Sequence, residues 1–258
     1  MRGKGSSRAN LSCGMALATA ECVMFNRMAH RQGAVKMMAR KWMFEGVVWS
    51  LFAVLSISAA RAAEPAVAGT VIHLEGVAFV NHLETSGNLS PGAQIRVGDH
   101  VVTGHNARVG LRMIDGAVLS LGADTEFAVN DYRYQEQAGQ GTARLELLKG
   151  VFRAVTGAIG KLKERDFKVK TSVGTIGIRG TDFWGGFYFS QALDVALLGG
   201  KGIYIENAAG VVEVTEAGEG VTVHSDNVLP LPPKRWGEQK LNAAKQSITW
   251  DETGTETK

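Results

Sequence analysis

Cysteine is nearly missing from this sequence. The 258 residues contain two, Cys13 and Cys22, and none follows residue 62. Everything after that point can form neither a disulfide nor a thiolate zinc site. Aromatic residues are only 7%, whereas glycine reaches 32, a balance that favours many turns and short strands over large aromatic cores. A basic excess is lacking too, although the formal net charge of +3 suggests one. Nine Lys/Arg and only Glu21 and Glu45 lie in residues 1–62. Of the chain's 28 basic and 25 acidic residues this leaves 19 and 23, a net of −4, for the remaining 196 residues. A body of that sign carries no nucleic-acid footprint, because phosphate neutralisation needs clustered Lys and Arg. The composition, 45% hydrophobic and 21% charged, is that of a folded globular chain.

What is present begins with an address label. Arg40-Lys41 precedes a mostly apolar run from Gly46 to Ala60, and Ala60-Arg61-Ala62 places small residues at positions −3 and −1 of a cleavage site. A basic start, an apolar core and an A-x-A end describe a secretory signal peptide. The core of about 15 residues is short for a bilayer span, which needs about 20. Cleavage is expected after Ala62, with a single uncleaved anchor as the alternative. The long stretch before the core points to a later start at Met37, Met38 or Met43. A transit peptide, Arg-rich and acid-poor, is the rival reading.

From Ala66 onward glycine punctuates short runs of Val, Ile, Leu, Thr and Phe every eight to twelve residues, the spacing of an all-β domain. Expected strands include Thr70–His73, Val77–Asn81, Ala93–Val97, Val101–Thr103, Val118–Leu121, Glu126–Val129, Arg144–Leu148, Val151–Val155, Phe187–Phe189, Val195–Leu198, Gly202–Glu206, Val211–Thr215 and Gly220–His224. In Arg108–Ile114, Val109, Leu111 and Met113 share one face, with Arg108 and Arg112 on the other; Asp115-Gly116 then makes a two-residue hairpin turn. In Phe167–Val173, residues Phe167, Val169, Thr171 and Val173 share a face opposite Lys168, Lys170 and Ser172. Val155–Glu164 is ambiguous, and its Gly157 and Gly160 weaken a helix. Pro230, Pro232 and Pro233 end the strand pattern, and Lys234–Ile248 can form a short helix packed outside, before a polar end. The architecture expected is a β-sandwich or a solenoid-like coil of short strands, with a short C-terminal helix or tail. Its segments are 1–62 (extension and signal peptide), 66–226 (β-domain) and 227–258 (Pro-containing linker and tail).

The most distinctive stretch is Val169 to Phe183, VKTSVGTIGIRGTDF, with Gly174, Gly177 and Gly180 spaced by three. A phosphate loop would follow its glycines with Lys-Ser/Thr and a helix, and a dinucleotide fold would show G-x-G-x-x-G; this stretch has neither. Glycines inside strands instead mark bulges and close backbone approach. The stretch is similar to the closing "V-x-T-P-x-G-x-x-x-V-R-G-T-x-F" signature of the FecR family, periplasmic sensor proteins of iron-uptake signalling and their exported relatives. Further elements resemble that family in order: Gly98-Asp99 with Thr103 as "G-D-x-x-x-T", Asp115-Gly116 as the "D-G-S-x-x-x-L" hairpin with Ala117 in place of the serine, and Leu145 to Phe152 around Gly150 as an "L-x-x-G-x-x" step. The resemblance spans about residues 95–190. It marks Gly98, Asp99, Thr103, Asp115, Gly116, Gly150, Thr171, Gly174, Arg179, Gly180, Thr181 and Phe183 as family positions.

The resemblance implies an all-β exported domain. The stretch upstream of the apolar run lacks the tryptophan-rich helical look of the family's anti-sigma domain, so the sigma-regulator role is not carried over. No cofactor and no metal site is expected. His73, His82, His100 and His105 lie close together in sequence, but no carboxylate is spaced to complete a metal site; surface histidine is the expectation. Arg179 and Asp182 are expected to form a local ion pair beside a capped turn, with ligand binding as the alternative. Trp184 to Phe189 is either core or an exposed platform for carbohydrate or peptide, and core is the expectation. No nucleophile elbow or H-E-x-x-H is present. A carboxylate-pair hydrolase would use Asp115 and Asp182. The reading reached is a non-enzymatic binding, scaffold or sensing module of the periplasm or cell surface. Its partner would be a protein or cell-envelope ligand, not nucleic acid, and its only membrane contact the N-terminal segment if uncleaved. A membrane-anchored signal-transduction component is the alternative.

Overall fold

The computed structural model describes residues 64–83 and 85–250. The proposed leader, its cleavage site and the alternative start positions lie outside the described residues. The strands in chain order are β1 (Val67–Glu75), β2 (Ala78–His82), β3 (Thr85–Asn88), β4 (Gln94–Arg96), β5 (His100–Thr103), β6 (Arg108–Met113), β7 (Val118–Leu121), β8 (Glu126–Gln135) and β9 (Gln140–Lys149). There follow β10 (Val151–Val155), β11 (Asp166–Thr171), β12 (Gly174–Ile178), β13 (Thr181–Gly186), β14 (Leu193–Gly200), β15 (Ile203–Asn207), β16 (Gly210–Val214), β17 (Glu219–Val223) and β18 (Lys234–Arg235). A 3-10 turn, Ile159–Lys161, sits between β10 and β11, and one helix, α1 (Glu238–Gln246), follows β18.

The strands form two nine-stranded sheets. The first runs β18-β17-β14-β13-β10-β7-β6-β1-β4 and the second β16-β15-β12-β11-β9-β8-β5-β2-β3. The chain alternates between the sheets every one or two strands, so sandwich and coil describe the same object. Every pairing among the described strands is antiparallel except β9 with β11, which are parallel because the chain visits β10 in the opposite sheet between them.

Period-two patterning decides which side chains meet between the layers. In β11, Phe167, Val169 and Thr171 are buried and Lys168 and Lys170 exposed. In β6, Val109, Leu111 and Met113 point inward and Arg112 outward. The inner core is aliphatic around a chain of rings: Phe127 against Phe152 (5.4 Å), Phe152 edge-on to Phe183 (5.5 Å) and Phe183 edge-on to Phe167 (6.5 Å).

β13 and β14 are buried on both faces. Their outer face is covered by residues 234–250, the segment expected as linker and tail. Trp236, Ala244 and Ile248 pack with Val151, Trp184 and Ala196 in a second apolar cluster. The Trp184 indole N–H donates to Ser247 Oγ at 3.1 Å. Glycines make room for this strap. A Cβ at Gly220 would lie 2.4 Å from the Trp236 ring, one at Gly122 2.5 Å from the Ser247 carbonyl oxygen, and one at Gly110 3.0 Å from the Trp250 ring. Trp250 also stacks on His73 at 4.7 Å.

Several local expectations change. The glycine stretch is not one bent strand but two, β12 and β13, in opposite sheets. Phe187–Phe189 is not a strand but the turn after β13. The ambiguous segment after β10 is a single 3-10 turn inside a sheet-to-sheet crossing. The aromatic cluster divides: Trp184 is fully buried, whereas Tyr188 and Phe189 are 53% and 36% exposed.

Candidate functional site

The family positions fall into two groups. The first holds the chain's turns and crossings. The buried Asp99 carboxylate takes the His82 ring N–H at 2.5 Å and the Arg96 backbone N–H at 2.7 Å. The Gly98 N–H donates to the Val129 carbonyl at 2.7 Å. The Thr103 hydroxyl donates to the Gly122 carbonyl at 2.6 Å and accepts the Thr125 N–H at 2.8 Å. Gly116 lies in the β6–β7 turn, and Gly150 links β9 to β10 against Thr125, whose hydroxyl bonds the Val151 backbone. Thr171 closes the β11–β12 turn by donating to the Gly174 carbonyl at 2.8 Å. Phe183 is core.

Asp115 belongs to the same group and is more deeply engaged than a turn residue needs to be. It is 7% exposed. Its Oδ1 accepts from the Ala117 N–H at 3.0 Å and the Tyr132 hydroxyl at 2.6 Å, and its Oδ2 accepts the Ile159 N–H at 3.1 Å. Burial, reinforced by the Asp115 charge and hydrogen bond, raises the Tyr132 phenol well above its ordinary value.

The second group, Arg179, Gly180 and Thr181, lines an open groove. Its walls are three successive crossings between the sheets: residues 156–165 from β10 to β11, 179–180 from β12 to β13, and 201–202 from β14 to β15. Thr181 knits the three together. Its N–H donates to Thr156 Oγ at 2.9 Å, its carbonyl accepts the Thr156 N–H at 3.0 Å, and its own hydroxyl donates to the Gly199 carbonyl at 2.6 Å. The Lys201 N–H reaches the Gly180 carbonyl at 3.1 Å. The crossings stack so closely that two positions admit only glycine. Gly180 has φ +89° and Gly200 φ +99°; a Cβ on the first would lie 2.8 Å from the Gly160 carbonyl oxygen, and one on the second 2.6 Å from that of Gly180. The groove has a volume of about 440 Å³, within the range of small-molecule sites.

The expected Arg179–Asp182 pair does not form. The two residues stand on opposite sides of a sheet crossing. Asp182 has entered the first sheet and projects from its outer face, where Arg153 of β10 grips it through two bonds of 2.8 and 2.7 Å. That contact raises the Arg153 pKa above its ordinary value, against partial desolvation. Arg179, still on the side of the second sheet, pairs with Glu213 of β16. The two arginines should differ in weight. Arg153→Ala is expected to cost about 1–2 kcal/mol, since its pair is bidentate and half-buried. Arg179→Ala is expected to cost less than about 0.5 kcal/mol, its exposed pair being screened by water. Urea denaturation of the two variants checks the contrast.

The histidines do not gather. His82 bonds Asp99, His105 bonds Asp124 at 2.9 Å, and His73 stacks on Trp250. The groove's other cations, Lys161, Arg165 and Lys201, were not singled out by the sequence. Their signal was a basic residue at each crossing, visible only once the crossings are known to stack.

Residues 99–201 match the family model described as "FecR protein". No curated protein matches the chain. Among solved structures, two crystal structures of a candidate anti-sigma factor from Parabacteroides distasonis are similar, each with 19% sequence identity, a TM-score of 0.44, and coverage of 57% of this chain. The match spans 64% of the length of that protein. The ordered motifs, the all-β layers they fold into and the match to the FecR family model coincide on one stretch, residues 99–201.

Proposed function

We propose that the chain is an exported FecR-domain protein that works without catalysis, as a binding and sensing module of signal transduction in the periplasm or at the cell surface. The observation that carries this reading is the placement of Arg179-Gly180-Thr181. It is the part of the family signature that lines an open groove made by three stacked crossings, where Arg179 is exposed while the buried Thr181 holds the crossings together. Elsewhere the motif's polar groups are committed to holding the fold. The carboxylates a hydrolase would need are engaged, Asp115 by two backbone N–H groups and a phenol, Asp182 by Arg153. Export is supported by Arg40-Lys41, the apolar run 46–60 and the small residues around Arg61. Among the described residues no helix is long and apolar enough to cross a membrane.

The test is the N-terminus of the protein in fractionated cells. Ala63 as the first residue, in the periplasmic or secreted fraction, is the expected result. An intact apolar run in the membrane fraction assigns the anchored form of the same sensor. A chain with that run intact in the cytosol overturns the reading.

A further inference from the structure

We propose that the groove at Gly180 and Gly200 binds phosphate-bearing anions, an inference that rests on the binding role just assigned to this groove and supplies its ligand class. Four basic side chains line it, Lys161 and Arg165 from the first crossing, Arg179 from the second and Lys201 from the third. They converge in a body whose net charge after residue 62 is −4, so this cluster runs against the charge of its surroundings. The one carboxylate on the groove wall, Asp182, is held by the two-pronged contact with Arg153 and is not free to neutralise the cations. Glu213 takes Arg179, and the Arg165 Nε donates to the Leu162 carbonyl at 3.0 Å. Lys161 and Lys201 are exposed and have no carboxylate within 4.0 Å among the described residues.

The stacking suits the same ligand. Gly180 and Gly200 let the three crossings lie against one another, a Cβ on either meeting the crossing before it, and so bring Lys161, Arg165, Arg179 and Lys201 to one groove. Long flexible lysines can close on an anion held beside the two arginines. Three separate crossings, each tied at both ends to sheet strands, carry these cations, so their backbone positions are set before the ligand arrives, which lowers the ordering cost of binding.

The experiment uses the full-length protein and two probes that carry the same chemistry from different sources. Inorganic pyrophosphate is titrated while backbone amide resonances are followed. Phosphatidylglycerol vesicles are tested by co-sedimentation against phosphatidylcholine vesicles. Pyrophosphate is expected to move the amides of Gly180, Gly200 and Lys201, with affinity falling as salt rises. Lys161→Glu with Lys201→Glu should weaken binding by about tenfold or more, and Lys161→Gln with Lys201→Gln should act in the same direction should the charge reversal disturb folding. Vesicle binding without pyrophosphate binding, lost in the same variants, assigns the phosphate to a lipid headgroup. No binding of either probe, or binding that the variants leave unchanged, overturns the proposal. A cytosolic chain with an intact N-terminus would sink the export reading yet leave these titrations as they are, so the two failures are separable.

Discussion

Replacing Asp115 with Ala should cost about 3–5 kcal/mol of folding stability, the largest effect expected from a single polar substitution in this chain. One buried carboxylate holds the β6–β7 hairpin through Ala117, β8 through the Tyr132 hydroxyl, and the crossing into β11 through Ile159. Its removal leaves a phenol and two amide hydrogens without acceptors in a site closed to water, and each such orphan carries its own desolvation penalty. Asp115→Asn should be milder, because one oxygen remains, but its new N–H₂ cannot serve the partners that both oxygens serve now. Tyr132→Phe deletes a single bond and should cost about 1 kcal/mol. Urea denaturation of the three variants should rank them in that order with unchanged slopes. The phenol adds a dependence on pH. Its folded value is raised above the ordinary 10.0, so its contribution is fully present below pH 10.0 and declines as the pH rises further, because the unfolded chain ionises first. The decline should follow about 1.4 kcal/mol per pH unit in the wild type, and that component should vanish in Tyr132→Phe.

The second large effect is expected from Trp236→Ala, at about 3–5 kcal/mol for a large ring removed from a packed site. Trp236 is 8% exposed, lies over Gly220, and meets Trp184 edge-on at 5.9 Å and Phe189 at 5.8 Å. The Lys240 ammonium sits 4.0 Å from its ring centre while bonding the buried Asp194 carboxylate at 2.8 Å. Helix α1 has nine residues and no side-chain N-cap, so it cannot persist alone in water and depends on this docking. Hydrogen exchange should show α1 losing protection in the variant before the sheets do. Retained protection in α1 would place the anchor instead at Ile248 and Trp250.

Alternation made much of the fold legible. β6 and β11 were readable because apolar and charged residues trade places at every step, and Asp115-Gly116 announced its turn. Between Gly174 and Gly186 that signal fails. Glycine has no side chain to assign to a face, so the change of sheet between Ile178 and Thr181 left no mark. For the same reason Arg179 and Asp182 looked like partners when the crossing had separated them. The outer layer was hidden differently. Gly110, Gly122 and Gly220 belong to the middle of the chain, while the groups they accommodate come from residues 236–250. Of the groove, the sequence disclosed Arg179, Gly180 and Thr181 through their motif. Lys161, Arg165 and Lys201 became part of it only through the stacking of crossings that are tens of residues apart.

The strap's path has a mechanical consequence. It begins at β17, crosses β13 where Ser247 meets Trp184, and ends with Trp250 against His73 of β1. Residues made after β17 therefore fasten β1 to the rest, so this domain completes its assembly only once residues 234–250 are available to it. A pull on the C-terminus would lift this fastening one contact at a time, peeling it at low force, whereas the hydrogen-bonded strands beneath would resist until it was gone.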